Sequence, residues 1–398
     1  EKSTFINAGD NVFHYEGRTE QLTDSSTVFI SPASSVTFNT ENDSITLYLK
    51  SQINSHNYIS VTINGEYLQR YKIEPDSINK IGIKLPEGSI NGIGIYKATE
   101  ASNGGVIFLG AEGKKITEVT NIPNKTIEFI GDSITCGMGA DIEEIPCGTT
   151  DVWYDQHNAY LAYGPISARA LNAKYLLSSV SGMGMYRNWN DEDTAPVMPD
   201  VYETLNLDGN KDKLWDFDQY SPDLVSICLG TNDLSEGDGE KKRLPFNKEK
   251  YTEAYIGFVK GVYERYPDTK VALLTSPMIS GDKGEVLLEC LNKVKDAFAD
   301  DHTIAVFEFD TITPGGCGSH PDLDDHQKMA DMLIPFYKDL LNQFAEKTGK
   351  DDPSKIPKSV KEMIEEAEEG LGRLPPCWPK GWTITKDPNY KRADRIFN

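Results

Sequence analysis

The sequence predicts an α/β fold, a five-stranded parallel sheet flanked by helices, preceded by an all-β jelly-roll or sandwich domain. Two hydrophobic rhythms and the boundary between them carry that prediction. From Asn11 to about Gly113, short apolar-polar alternations recur between turn residues, at 27–30, 36–39, 44–49, 58–63, 81–84 and 92–97. Alternation of this kind marks strands with one buried face. At Asn121-Ile122-Pro123-Asn124 the rhythm changes to continuous apolar runs separated by helical periodicity.

The runs at 126–130, 175–180, 224–229, 270–275 and 304–309 read as strands buried on both faces, as in a parallel sheet. Helices are expected at 159–171, 248–266, 285–299 and 325–344. On the second of these, Tyr251, Tyr255, Phe258, Val259, Val262 and Tyr263 fall three and four residues apart and should pack together on one face. The expected domains are 1–120 (β), 121–348 (α/β) and 349–398, a charged helix followed by a tail containing Pro375, Pro376, Trp378, Pro379 and Trp382. That tail reads as a terminal wrap, a disordered end, or a segment for attachment to a larger assembly.

With 398 residues and 38% hydrophobic composition, the chain is large enough for two cores. A formal net charge of −22 repels phosphate backbones and anionic lipid, so neither nucleic acid nor a membrane surface is an expected partner. No run approaches the roughly 20 apolar residues a spanning helix needs. The chain opens at Glu1, which fits a processed secreted protein or a trimmed chain, and an extracellular location is expected. Its six cysteines form no CxxC pair, so no zinc site is expected, and free thiols or one or two disulfides are both compatible.

The chemistry collects at predicted strand ends. Gly131-Asp132-Ser133 places a serine where the first apolar strand stops, at the carboxyl edge where open α/β sheets bind ligands. Ser181-Gly182 follows the next strand, and Gly230-Thr231-Asn232-Asp233 follows the third. Backbone N–H groups of Ser133 and Gly182, with the Asn232 amide, would converge as donors for an oxyanion. A serine hydroxyl needs a base with a pKa near neutrality, which means histidine. Of the six histidines, His320 lies in the loop after the last strand and before the last helix, again at the carboxyl edge. Asp132 reads as a structural residue of the turn. Tyr186, Trp189 and Trp215 are the candidate sugar-stacking aromatics. Asp322, Asp324 and Asp325 read as capping groups of the last helix, and His326 as a packing or first-turn hydrogen-bonding residue, rather than as metal ligands.

In this order, Gly131-Asp132-Ser133, Gly182, Gly230-Thr231-Asn232-Asp233 and His320-Pro321 resemble the SGNH (GDSL) hydrolase superfamily over residues 124–346. With the preceding β region and Ser181-Gly-Met-Gly-Met-Tyr-Arg-Asn188, the chain is similar to carbohydrate esterase family 2. That resemblance implies a jelly-roll domain fused to the hydrolase domain, no cofactor or metal, and removal of O-acetyl groups from plant-wall polysaccharide. The preferred position would be the 6-hydroxyl of hexoses, with action also on acetylated xylan or glucomannan. The superfamily's Asp three residues before the histidine is replaced here by Cys317, so the expectation is a Ser133/His320 dyad. A main-chain carbonyl of the 315–318 loop would orient the base, with Asp310 and Asp322 as lesser candidates. Rival readings are an SGNH lipase or thioesterase, disfavoured by the polar residues around 185–190, and a non-catalytic glycan-binding protein.

Overall fold

The computed structural model describes residues 2–192 and 194–347. The predicted helix near 359–371 and the Pro- and Trp-containing tail lie outside the described residues.

The N-terminal region is built from two antiparallel sheets. One runs Thr19–Thr23, Ser26–Phe29, Val106–Gly113, Ser44–Ser51, Asn79–Lys84, with Thr4–Asn7 also paired to Val106–Gly113. The other runs His14–Glu16, Ser35–Thr40, Asn91–Lys97, Asn57–Ile63, Glu66–Ile73. Their inward residues, among them Phe13, Phe38, Leu47, Val61, Ile95 and Phe108, form one core. The sequence pattern located the strands that alternate cleanly and passed over others. Glu66–Ile73 is a mostly polar edge strand, and Val106–Gly113 is interrupted by an irregularity between Phe108 and Gly110. At that irregularity the alternation of faces slips by one residue.

The second region is a five-stranded parallel sheet in the order Ala173–Ser179, Lys125–Gly131, Leu224–Cys228, Lys270–Leu274, Ile304–Phe307. On one face, helices Lys248–Arg265 and Gly281–Asp296 bury Tyr251, Tyr255, Phe258, Val259, Val262, Leu287, Leu291 and Val294 against Val225, Ile227, Val271 and Leu273. The six residues read as one face of the first of these helices are all buried. On the other face, Phe129 meets Tyr163 and Tyr337, carried by helices Tyr163–Ala170 and Leu323–Lys347. The single helix expected over 159–171 is split into a short 3-10 turn, Ala159–Leu161, and the helix from Tyr163. In a continuous helix the Pro165 ring would collide with the Leu161 carbonyl. The extended Ala162 places the proline in a first turn, where it is tolerated.

Residues up to Leu340 pack as one unit, in which the β region and the parallel sheet share buried polar ties. Arg18, wholly buried, donates to the carbonyls of Thr204 (2.5 Å) and Tyr202 (2.7 Å) and to Ser178 Oγ (3.3 Å). Arg70 donates to the carbonyls of Asp155 (2.7 Å) and His157 (2.8 Å). Trp215 belongs to this interface. It is 3% exposed, packed with Val28, Ile30 and Leu176, with the Arg18 guanidinium 4.8 Å from its ring. The expectation that Trp215 contacts sugar is therefore corrected: an indole enclosed between two sheets has no face left for a ligand.

Candidate active site

The first strand of the parallel sheet, Lys125–Gly131, lies between the second and the third, so chain direction across the sheet reverses beside it. The crevice outside such a switch point is where these sheets bind ligands. Ser133 stands two residues beyond that strand, Ser181 two residues beyond Ala173–Ser179, and Thr231 opens a short helix just after Leu224–Cys228. Register between the strands brings the three ends level, with Gly131 paired to both Ser179 and Cys228.

Ser133 begins a one-turn helix, Ser133–Cys136. Asp132, fully buried, caps it by accepting the Ile134 N–H at 3.0 Å, which is the structural role read from the sequence. Burial is the main influence on the Asp132 carboxyl and pushes its pKa up to about 7, with the nearby Asp233 adding to the rise. Ser133 Oγ lies 2.7 Å from His320 Nε2. Among the described residues, neither the Ser133 nor the Gly182 backbone N–H has an acceptor within the protein.

His320 is oriented by the main chain. Its Nδ1 lies 2.7 Å from the carbonyl oxygen of Gly318. A carbonyl can only accept, so Nδ1 carries the proton and Nε2 presents its lone pair to the serine hydroxyl. The carbonyl reaches back because Gly318 is left-handed (φ 62, ψ 32), followed by Ser319 at φ 59. The loop closes through the Gly316 N–H to the His320 carbonyl (2.8 Å) and the Cys317 N–H to the Gly139 carbonyl (2.9 Å). A Cβ at Gly316 would lie 2.4 Å from the Gly139 carbonyl oxygen, so no larger residue fits that approach. Cys317, standing where an aspartate was expected by analogy, forms a disulfide with Cys147. Asp322 bonds with Asp325, exchanging main-chain N–H and carboxylate contacts of 2.8 and 3.0 Å, and makes no contact with His320. Burial lowers the His320 pKa below its ordinary value, with the Gly318 carbonyl opposing. His326 accepts the Tyr163 N–H (3.0 Å) and is held neutral by burial, its pKa pushed down to about 3.

The 181–189 loop, which carries Gly182, is fastened from several sides. The Asn232 amide donates to the Met183 carbonyl (2.8 Å) and, at a longer 3.3 Å, to Asp132. Asp233 accepts the N–H groups of Met185, Tyr186 and Arg187. The Trp189 N–H closes onto the Gly182 carbonyl (2.9 Å), leaving its indole about half exposed. Tyr186 is partly buried, its ring against Phe246 and Tyr251 and its hydroxyl accepting from the Asn247 N–H.

One cluster escaped the sequence reading. Glu100, in the connection between strands Asn91–Lys97 and Val106–Gly113 of the β region, is fully buried beside the site. Its carboxylate accepts from His157 Nε2 (2.8 Å), the Ser181 N–H (2.9 Å), Ser181 Oγ and Ser102 Oγ (2.8 Å). Burial alone would raise its pKa, but the bonds from His157 and Ser181 outweigh it and hold the carboxyl at about 2. A polar Lys97-Ala98-Thr99-Glu100 run directly after an apolar strand was the available signal; His157 had none.

A serine hydroxyl within hydrogen-bond reach of an oriented imidazole, at the carboxyl edge of a parallel sheet, is the arrangement of a serine hydrolase. Comparison with known proteins specifies it. Residues 129–333 match the model of the GDSL-like lipase/acylhydrolase family, to which the chain belongs, and residues 15–123 match the carbohydrate esterase 2 N-terminal domain. An acetylxylan esterase/glucomannan deacetylase of Cellvibrio japonicus is 26% identical over 85% of this chain and 91% of its own length. The cellulase/esterase CelE of Acetivibrio thermocellus is 32% identical over 72% of this chain, which spans only 34% of that longer protein. A family two carbohydrate esterase from Clostridium thermocellum, solved with cellohexaose, aligns with a TM-score of 0.73 at 26% identity, over 83% of this chain and 99% of that one.

Proposed function

We propose that this protein is a secreted carbohydrate acetyl esterase that removes O-acetyl groups from plant-wall polysaccharide, with Ser133 as nucleophile and His320 as general base. The observation that carries the reading is the 2.7 Å contact of Ser133 Oγ with His320 Nε2, with the Ser133 and Gly182 N–H groups lacking an acceptor among the described residues. His320 takes the hydroxyl proton as Ser133 attacks the acetyl carbonyl. The oxyanion is received by the Ser133 and Gly182 N–H groups, each such donor being worth roughly 3 kcal/mol. Asn232 is the third donor, through the amide hydrogen it now spends on the long contact to Asp132. His320 then protonates the departing sugar oxygen and activates water against the acetyl-enzyme, so the scheme needs no cofactor.

The names of the relatives support acetylated xylan and glucomannan as substrates, and the 6-O-acetyl of hexoses is the proposed preferred position. Trp189, half exposed on the loop that carries Gly182, is the proposed sugar contact, with Tyr186 behind it. The Cys147–Cys317 disulfide supports an extracellular setting, since such bonds persist in oxidising compartments; among the described residues no helix is long and apolar enough to cross a membrane. The test is acetate release from acetylated xylan, acetylated glucomannan and singly acetylated hexoses. The reading predicts release by the unmodified protein, fastest at the 6-position, and none above background by Ser133→Ala. Absence of release from all of these by the unmodified protein would overturn it.

A further inference from the structure

The proposed centre lies in the parallel-sheet region, yet one of its supports comes from the β region. Ser181 is joined to Gly182 by a single peptide, and both polar groups of Ser181 that precede that peptide, N–H and Oγ, are bound by the Glu100 carboxylate. Glu100 is itself fixed at both ends. His157 and Ser102 hold its carboxylate, while its own main chain accepts from Lys97 Nζ at 2.5 Å and donates to Asn103 Oδ1 at 3.1 Å. His157 in turn is anchored through its carbonyl by Arg70, also of the β region. A hydrogen bond to an ionised acceptor is about twice as strong as one to a neutral acceptor, and this acceptor is fully buried. General adhesion between the regions is already served elsewhere, by Arg18. Glu100 instead reaches the residue next to Gly182, whose N–H is one of the proposed oxyanion donors.

We propose that Glu100 is a positioning residue for ester hydrolysis: with His157 it locks Ser181, and so fixes the direction of the Gly182 N–H. The β region thereby supplies part of the working centre. This rests on the serine-esterase reading above. It is distinct from a merely structural role because a misdirected oxyanion donor slows turnover while leaving ground-state binding alone.

The experiment compares kcat and KM on a soluble acetyl ester for the unmodified protein, Ser181→Ala, Glu100→Gln, the double variant and Ser133→Ala, with thermal melting as a check of folding. The expected result is a fall in kcat of about 10- to 100-fold in each single variant, somewhat less than complete loss of a donor, with KM held within about threefold. The double variant should be no more than about threefold slower than Glu100→Gln, because both act through one link. A kcat within about threefold of the parent in a folded Ser181→Ala or Glu100→Gln, a loss confined to KM, or losses that multiply in the double variant would overturn the proposal. Should Glu100→Gln fail to fold, Ser181→Ala decides alone by the same threshold. Full activity in Ser133→Ala would overturn the underlying reading, whereas unaffected Glu100 and Ser181 variants beside an inactive Ser133→Ala would overturn only the positioning role.

Discussion

The loop that carries Ser133 and the loop that carries His320 meet across 2.7 Å, but they are anchored by different means. Ser133 follows a strand paired on both sides over most of its length and a buried Asp132 that caps the turn. His320 follows the edge strand Ile304–Phe307 by more than ten residues that contain only one short turn, Cys317–Ser319. What fixes that segment is a covalent tie to Cys147 together with hydrogen bonds from main-chain N–H groups, Ile312 to Pro277, Gly315 to the Asp325 carboxylate, Cys317 to Gly139 and Gly316 to His320. Ser133, the proposed nucleophile, is thus set by the sheet, whereas His320, the proposed base, is set by a loop held by a crosslink and main-chain hydrogen bonds. The same contrast explains the missing aspartate, because orientation supplied by a carbonyl two residues away needs only that the loop hold its shape.

The comparison can be broken most severely at its meeting point. Ser133→Ala and His320→Ala should each lower kcat by about 10⁴-fold or more, and the double variant should be scarcely worse, since the two act as a unit. Multiplying losses, measured on 4-nitrophenyl acetate, would mean that the two residues work separately. The next effect is confined to the base side. Reducing Cys147–Cys317, or replacing both cysteines by serine, should lower kcat roughly 10- to 100-fold, the scale of a misplacement of about 1 Å. The loop it closes is 170 residues long, so the same change should also depress the melting temperature. Unchanged turnover after reduction would show that hydrogen bonds alone hold His320.

The pH profile sharpens the contrast further. The proposed mechanism requires neutral His320, and burial favours that form, so activity should fall on acidification with a midpoint below the ordinary value of about 6.5. A midpoint above about 6.5 in kcat/KM would point to a carboxylate partner in place of the Gly318 carbonyl. The smallest effect is expected at Asp322, whose carboxylate faces Asp325; Asp322→Asn should change kcat by less than about twofold.

What was legible in the sequence follows the same division. Strand ends of the parallel sheet are announced by apolar runs that stop at Gly131, Val180 and Leu229, so Ser133, Gly182 and Asn232 could be proposed from pattern alone. His320 was proposed from its place between the last strand and the last helix, and a carbonyl of the 315–318 loop from the absence of an aspartate; that the carbonyl is that of Gly318 comes from the structure. The Cys147–Cys317 pairing was not legible, because connectivity among six cysteines is a property of the fold. Trp215 was misread for a related reason. An aromatic in an irregular segment looks the same in sequence whether it faces solvent or, as here, is closed in by the β region and stacked on Tyr220. Glu100 and His157 were missed because they are 57 residues apart and meet only once the two regions are packed together.

The central claim is that Ser133, activated by His320, carries the acetyl group in transit. The most direct measurement is intact-mass spectrometry of the protein, acid-quenched during turnover of 4-nitrophenyl acetate, with peptide mapping of any adduct. The account predicts one added acetyl group on the peptide containing Ser133, absent from Ser133→Ala and from His320→Ala. An adduct mapped to another residue, or undiminished labelling in Ser133→Ala, would contradict it.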